Sequence, residues 1–196
     1  MKLITALLAL AISGSAMSAT LSGQVRKFTG MTVESRRSYS YIALETTDGQ
    51  RLGLPSWVKA EKLLLVPHQL VIEGEVDSLS CIDMSRACKT GVISDIKSFG
   101  LGIGKRLTDA KSYTGRLVEF KGIGVTIRKP YNYIAIDSQN GALAVPFFLD
   151  AKELLKVEPN ANYVLTGKVL AKACVDMSKA CGPNEVSPLS AVSIKF

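Results

Sequence analysis

The sequence predicts a mainly β protein made of two tandem copies of one small barrel unit. Three observations predict it: a long internal repeat, a fixed order of periodicities in each copy, and a matching hairpin turn in both. Residues 21–49 lie on residues 113–141 at a constant offset of 92 without a gap. Ten of those 29 pairs are identical, among them Gly23/Gly115, Phe28/Phe120, Gly30/Gly122, Arg36/Arg128, Tyr39/Tyr131, Tyr41/Tyr133 and Gly49/Gly141. Unrelated segments of this length would share roughly one or two, so the chain carries a duplication. The match continues with small slips through Pro55 and Pro146, Gly74 and Gly167, and the cysteines.

Each copy opens with a β-type segment, 21–35 in the first, interrupted by Gly30, where a glycine allows a bend. Residues 39–46 then alternate in character, and Asp48-Gly49 is a strong hairpin signal before a third strand at 51–54. Asn140-Gly141 takes the same place in the second copy. Next, Trp57, Ala60, Leu63 and Leu64 recur at helical spacing, as do Phe148, Ala151, Leu154 and Leu155, which predicts an amphipathic helix closed by Pro67 or Pro159. Strands return at 69–76 and 163–169, followed by a cysteine loop and a last strand at 92–98 or 191–196.

The order is three strands, a helix and two strands in about 80 residues. It resembles the OB-fold, a five-stranded barrel with its helix between strands 3 and 4, and the likeness covers nearly all of the chain beyond its first 19 residues, once per copy. The nearest likeness within that superfamily is to small exported bacterial proteins. A single noncanonical barrel or an SH3-like barrel is the competing architecture. The organisation expected is a signal peptide at 1–19, a first OB-like repeat at 20–99, a linker at 100–112 and a second repeat at 113–196. The linker assignment rests on three glycines within 100–104 followed by charged residues; Phe99 stands where a phosphate-binding loop would need its first glycine.

The first 19 residues have Lys2, an apolar run over 3–12 and then small residues, the layout of a secretory leader cleaved after Ser18 or Ala19. The apolar run is too short to span a bilayer, so a mature protein without a membrane span, periplasmic or secreted, is expected. The 47% hydrophobic content of the full sequence excludes a disordered chain. Of the formal charge of +7, Lys2 supplies one, and the rest is shared, with +3 on residues 20–106 and +3 on 107–196. Such a surface favours anionic partners and also serves solubility.

Cys81 and Cys88 enclose six residues, as do Cys174 and Cys181, and in an exported chain this argues for one disulfide per copy. Closing so short a ring stabilises the fold by about 2.5 kcal/mol on the loop-entropy account. A four-cysteine zinc site is the weaker alternative, because zinc loops space their ligands more tightly; no metal and no cofactor are expected. Asp83 and Asp176 suit caps of a single helical turn inside these rings.

Along the second strand, Tyr39, Tyr41, Ala43 and Glu45 point one way and Ile42 and Leu44 the other, with Tyr131, Tyr133, Ala135 and Asp137 repeating the pattern. If the aliphatic side fills a barrel, the tyrosines face outward. Arg36-Arg37 and Arg128-Lys129 stand just ahead of them. The OB resemblance implies a binding face there, with rings to stack on sugars or bases and cations for phosphate or carboxylate. The expected ligand residues are therefore Arg36, Arg37, Tyr39, Tyr41, Arg128, Lys129, Tyr131 and Tyr133. An anionic polymer or glycan is the expected partner, nucleic acid ranks behind it, and the alternative is an adaptor or inhibitor that docks another exported protein.

Enzymatic function is not expected. His68 is the only histidine and reads as a surface loop residue, so Ser-His-Asp or Cys-His chemistry has no base in the second copy. Glu45 and Asp48 flank a hairpin with no apolar setting to raise a carboxyl pKa.

Overall fold

A computed structural model describes residues 18–31, 36–78, 90–104, 107–123, 128–170 and 183–196. The expected leader, both cysteine loops with Asp83 and Asp176, and the tips joining the first two strands of each copy fall largely or wholly outside them. The chain is mainly β. Its elements run β1 Ala19–Met31, β2 Ser38–Thr46, β3 Arg51–Gly53, α1 Ala60–Leu63, β4 His68–Ser78, β5 Thr90–Ile103, then β6 Lys111–Ile123, β7 Pro130–Ser138, β8 Gly141–Leu143, α2 Ala151–Val157, β9 Asn162–Leu170 and β10 Glu185–Lys195. No helix among the described residues is long and apolar enough to cross a membrane.

The ten strands of the described residues belong to one sheet, ordered β3-β2-β1-β4-β5-β10-β9-β6-β7-β8. The two halves of the sequence therefore occupy separate halves of the sheet. Neighbours in this order are antiparallel, and β3 also pairs parallel with β5, so the pairings β1–β2–β3–β5–β4–β1 return to their start. In the second half, Leu143 of β8 makes a parallel bridge to Asn184 ahead of β10, with Ala144 N–H donating to Asn184 O and Asn184 N–H to Ala142 O, both at 2.8 Å.

Gly23 pairs with Thr46 of β2 on one side and with Leu70 of β4 on the other, where β1 passes from one partner to the next. A Cβ here would strike the carbonyl oxygen of Glu45, and one at Gly115 that of Asp137. This is where the first strand of each copy needs a glycine to turn, not at Gly30 as the pattern suggested. Gly30 and Gly122 instead leave room for tyrosine rings: a Cβ on Gly30 would lie 3.0 Å from Tyr39 and Tyr41, and one on Gly122 2.9 Å from Tyr131. The hairpin turns follow expectation, with Gly49 and Gly141 at φ 83° and 88°.

The helices are shorter than their apolar spacing implies. Trp57 and Phe148 are buried but precede α1 and α2, and Leu64 is exposed. Residues 57–59 and 148–150 pair with each other instead: Val58 bridges Leu149, Lys59 N–H donates to Phe148 O at 2.9 Å, and Asp150 N–H to Trp57 O at 2.8 Å. Those bonds hold Lys59 and Asp150 out of helical geometry, so each helix starts a residue later. Asp150 also caps α2, its Oδ1 accepting from Lys152 N–H at 3.1 Å and Glu153 N–H at 3.2 Å, while Oδ2 lies 3.5 Å from Lys59 Nζ. The Glu153 amide, aided by Lys59, holds this carboxyl below the usual aspartate range.

The second union of the halves is β5 with β10, Phe99 opposite Ile194 and Leu101 opposite Val192. Gly100 to Ile103 belong to β5, and Lys111 and Ser112 to β6, so the connection expected over 100–112 is confined to 104–110. Buried side chains from both halves form one core cluster, with Trp57 edge-on to Phe99 at 5.0 Å and 5.7 Å from the ring of Phe196.

His68 is not a loop residue. It begins β4, half-buried, and its Nε2 accepts the Val25 N–H at 3.0 Å. That acceptance places the ring proton on Nδ1, which donates to Val66 O at 2.9 Å.

Tyr163 in β9 is fully buried in the position that Leu70 holds in the first half, each facing the turning glycine of its copy. Among the described residues its hydroxyl has no hydrogen-bond partner, and burial pushes its pKa upward. Tyr163→Phe is accordingly expected to leave stability unchanged or raise it by up to about 1 kcal/mol in thermal melts. A clear loss would mean that the hydroxyl is engaged.

Candidate functional site

The expected ligand residues lie on two equivalent hairpins. β1 pairs with β4 only over Ala19–Gly23 but with β2 from Gly23 to Met31, so the end of the β1–β2 hairpin extends past the rest of its half as a two-stranded arm. β6 and β7 form the matching arm, paired from Gly115/Ser138 to Ile123/Pro130. Register fixes what shares a face. Phe28 stands opposite Tyr41 and Gly30 opposite Tyr39; Phe120 stands opposite Tyr133 and Gly122 opposite Tyr131.

On each arm the three rings form a ladder. Tyr39 stacks on Tyr41 at 5.5 Å between centroids, and Tyr41 lies 5.5 Å from Phe28. Tyr131, Tyr133 and Phe120 repeat this at 5.4 Å for both steps. All four tyrosines are half-buried, on the side of the strand opposite Leu44 and Ile136, which are fully buried in the core. The tyrosines thus stack on one another and on the phenylalanine, and none of the four is fully buried.

The cations stand at the ends of these ladders. Arg36, Arg37, Arg128 and Lys129 are exposed immediately before β2 and β7. Arg36 and Arg128 share a left-handed backbone, φ 52° and 48°, so the duplication keeps an unfavourable conformation as well as a residue type.

The arms differ lower down. In the first, Arg51 of β3 reaches over the Phe28 ring, 4.1 Å from its centroid, and donates to the Tyr41 hydroxyl at 3.1 Å. Arg26 is 3.2 Å from Glu45, and both line an open polar hollow of about 430 Å³ with Gln24, Thr47 and Gln69. In the second arm Ala142 holds the place of Arg51 and Val118 that of Arg26. Asp48 sits in the turn below, its carboxyl held below the usual range first by the Thr46 hydroxyl. Among the described residues no three His, Cys, Asp or Glu side chains group as metal ligands.

No protein-family model, curated protein or solved structure matches this chain. Its chemistry is therefore read from the arms themselves. The sequence singled out the four tyrosines and four cations but not Phe28, Phe120 or Arg51. The identity of Phe28 with Phe120 was a signal for two of them. Arg51 had none, because its place beside Phe28 depends on β3 reaching back across β2.

Proposed function

We propose that this chain is an exported, non-enzymatic binding protein whose two arms hold an anionic polymer or acidic glycan. One observation carries the reading: both copies present a half-exposed ladder of three rings with two exposed cations at its end, Phe28–Tyr41–Tyr39 with Arg36 and Arg37, and Phe120–Tyr133–Tyr131 with Arg128 and Lys129. Aromatic faces stack on sugar rings or bases, and neighbouring cations neutralise the phosphate, sulfate or carboxylate groups between them. Two such arms on one framework engage a polymer at two points, which raises avidity without new contacts.

Each half is read as an OB-like five-stranded barrel. The circuit of pairings β1–β2–β3–β5–β4–β1 supports this, with the Leu143–Asn184 bridge as its counterpart. In such barrels the second and third strands and the loop between the first two form the binding face, where the arms lie.

The test is retention on immobilised heparin, an anionic glycan. Replacing Arg36, Arg37, Arg128 and Lys129 together with alanine is expected to abolish retention at physiological salt while leaving circular dichroism unchanged. The wild-type protein is expected to lose affinity steeply as salt rises, since binding releases counterions. A folded quadruple variant retained like wild type would refute the reading.

A further inference from the structure

The duplication places two equivalent sites where the halves meet, and they are filled differently. Trp57 and Phe148 are counterparts, since each gives its carbonyl to the other copy through the Asp150 and Lys59 amides. Phe196 and Ile103 are also counterparts: each follows a residue, Lys195 or Gly102, that pairs with the equivalent residue of its own half's fourth strand, Asn162 or Gln69. At one site Trp57 meets Phe196, ring to ring at 5.7 Å, and Phe99 packs edge-on to the indole at 5.0 Å. At the other, a phenyl replaces the indole and a sec-butyl chain replaces the phenyl. Phe148 and Ile103 there line a hollow of about 480 Å³, whose walls include Val145, Leu165 and Leu189.

We propose that this hollow is a binding site for an uncharged small molecule bearing an aromatic ring. Its volume falls within the range that small-molecule sites occupy. The counterpart shows what the framework accepts there, the Phe196 ring packed against Trp57. Phe147 is 55% exposed and meets Phe148 edge-to-face at 5.4 Å, offering an entering ring an aromatic partner at the mouth. Of the residues lining the hollow only Glu185 is ionisable. The aliphatic walls cannot replace the water that a charged ligand would shed. The site is distinct from the arms.

The test uses the full chain and N-phenyl-1-naphthylamine, a neutral aryl probe that fluoresces on leaving water. Saturable binding of one probe per chain is expected. Phe148→Trp with Ile103→Phe copies the filled site into the open one and is expected to weaken binding at least tenfold while circular dichroism stays native. In the wild type, methyl NMR shifts on probe addition are expected at Ile103, Val145, Leu165 and Leu189, a readout that does not depend on the variant folding. The quadruple arm variant is expected to bind the probe as wild type does. Absence of saturable binding, methyl shifts clustered elsewhere, or a folded filled variant that binds like wild type would each overturn the proposal.

Discussion

Gly23→Ala is expected to cost about 3–5 kcal/mol of stability, and Gly115→Ala a similar amount, read as lowered midpoints in urea unfolding. The cause is backbone against backbone. At both positions the added Cβ would meet a carbonyl oxygen of the neighbouring strand, Glu45 O or Asp137 O, and no rotamer change relieves that. The clash can be avoided only by opening the pairing where one strand passes from its hairpin partner to the fourth strand of its half. Gly100 and Gly102 provide the control. They lie in β5, but their nearest Cβ contacts would be 3.7 Å and 3.9 Å, ordinary van der Waals distances. Alanine there should change stability by less than about 1 kcal/mol. A Gly23→Ala protein as stable as the Gly100→Ala protein would show that β1 does not turn at Gly23.

Trp57→Ala is expected to cost about 3–5 kcal/mol, the range for emptying a large aromatic site. Its second effect is more diagnostic. Trp57 is 3% exposed, touches Phe99 from its own half and Phe196 from the other, and gives its carbonyl to Asp150. With β5 paired to β10 and one core cluster running through both halves, the variant should still unfold in a single transition, shifted as a whole. The measurement is far-ultraviolet circular dichroism with denaturant, because the variant lacks the chain's one tryptophan. Two separated transitions, with only the first half displaced, would show that the halves fold independently.

The contrast between the two aromatic junctions bears on how the duplication was used. The arms kept their rings and the two cations at their ends in both copies, whereas the sites where the copies meet diverged, Trp57 and Phe196 against Phe148 and Ile103. A ladder on an arm is complete within its own copy. A site between copies is occupied by both, so the two can be filled in different ways without disturbing either hairpin.

What the sequence by itself determined is local or repeated. Alternation along residues 39–46 put the tyrosines opposite Leu44, Asp48-Gly49 and Asn140-Gly141 set the hairpins, and the offset of 92 announced two copies, because each signal depends only on residues close along the chain or on comparing one copy with the other. Tertiary structure alone decided that the sheet runs unbroken from one copy into the next, that residues 57–59 and 148–150 pair and shorten both helices, that His68 holds the Val25 amide, and that Arg51 lies over Phe28. Those outcomes depend on which unpaired backbone edges and buried faces meet at long range. Hydropathy periods report that a face will be covered, but carry no information about what covers it.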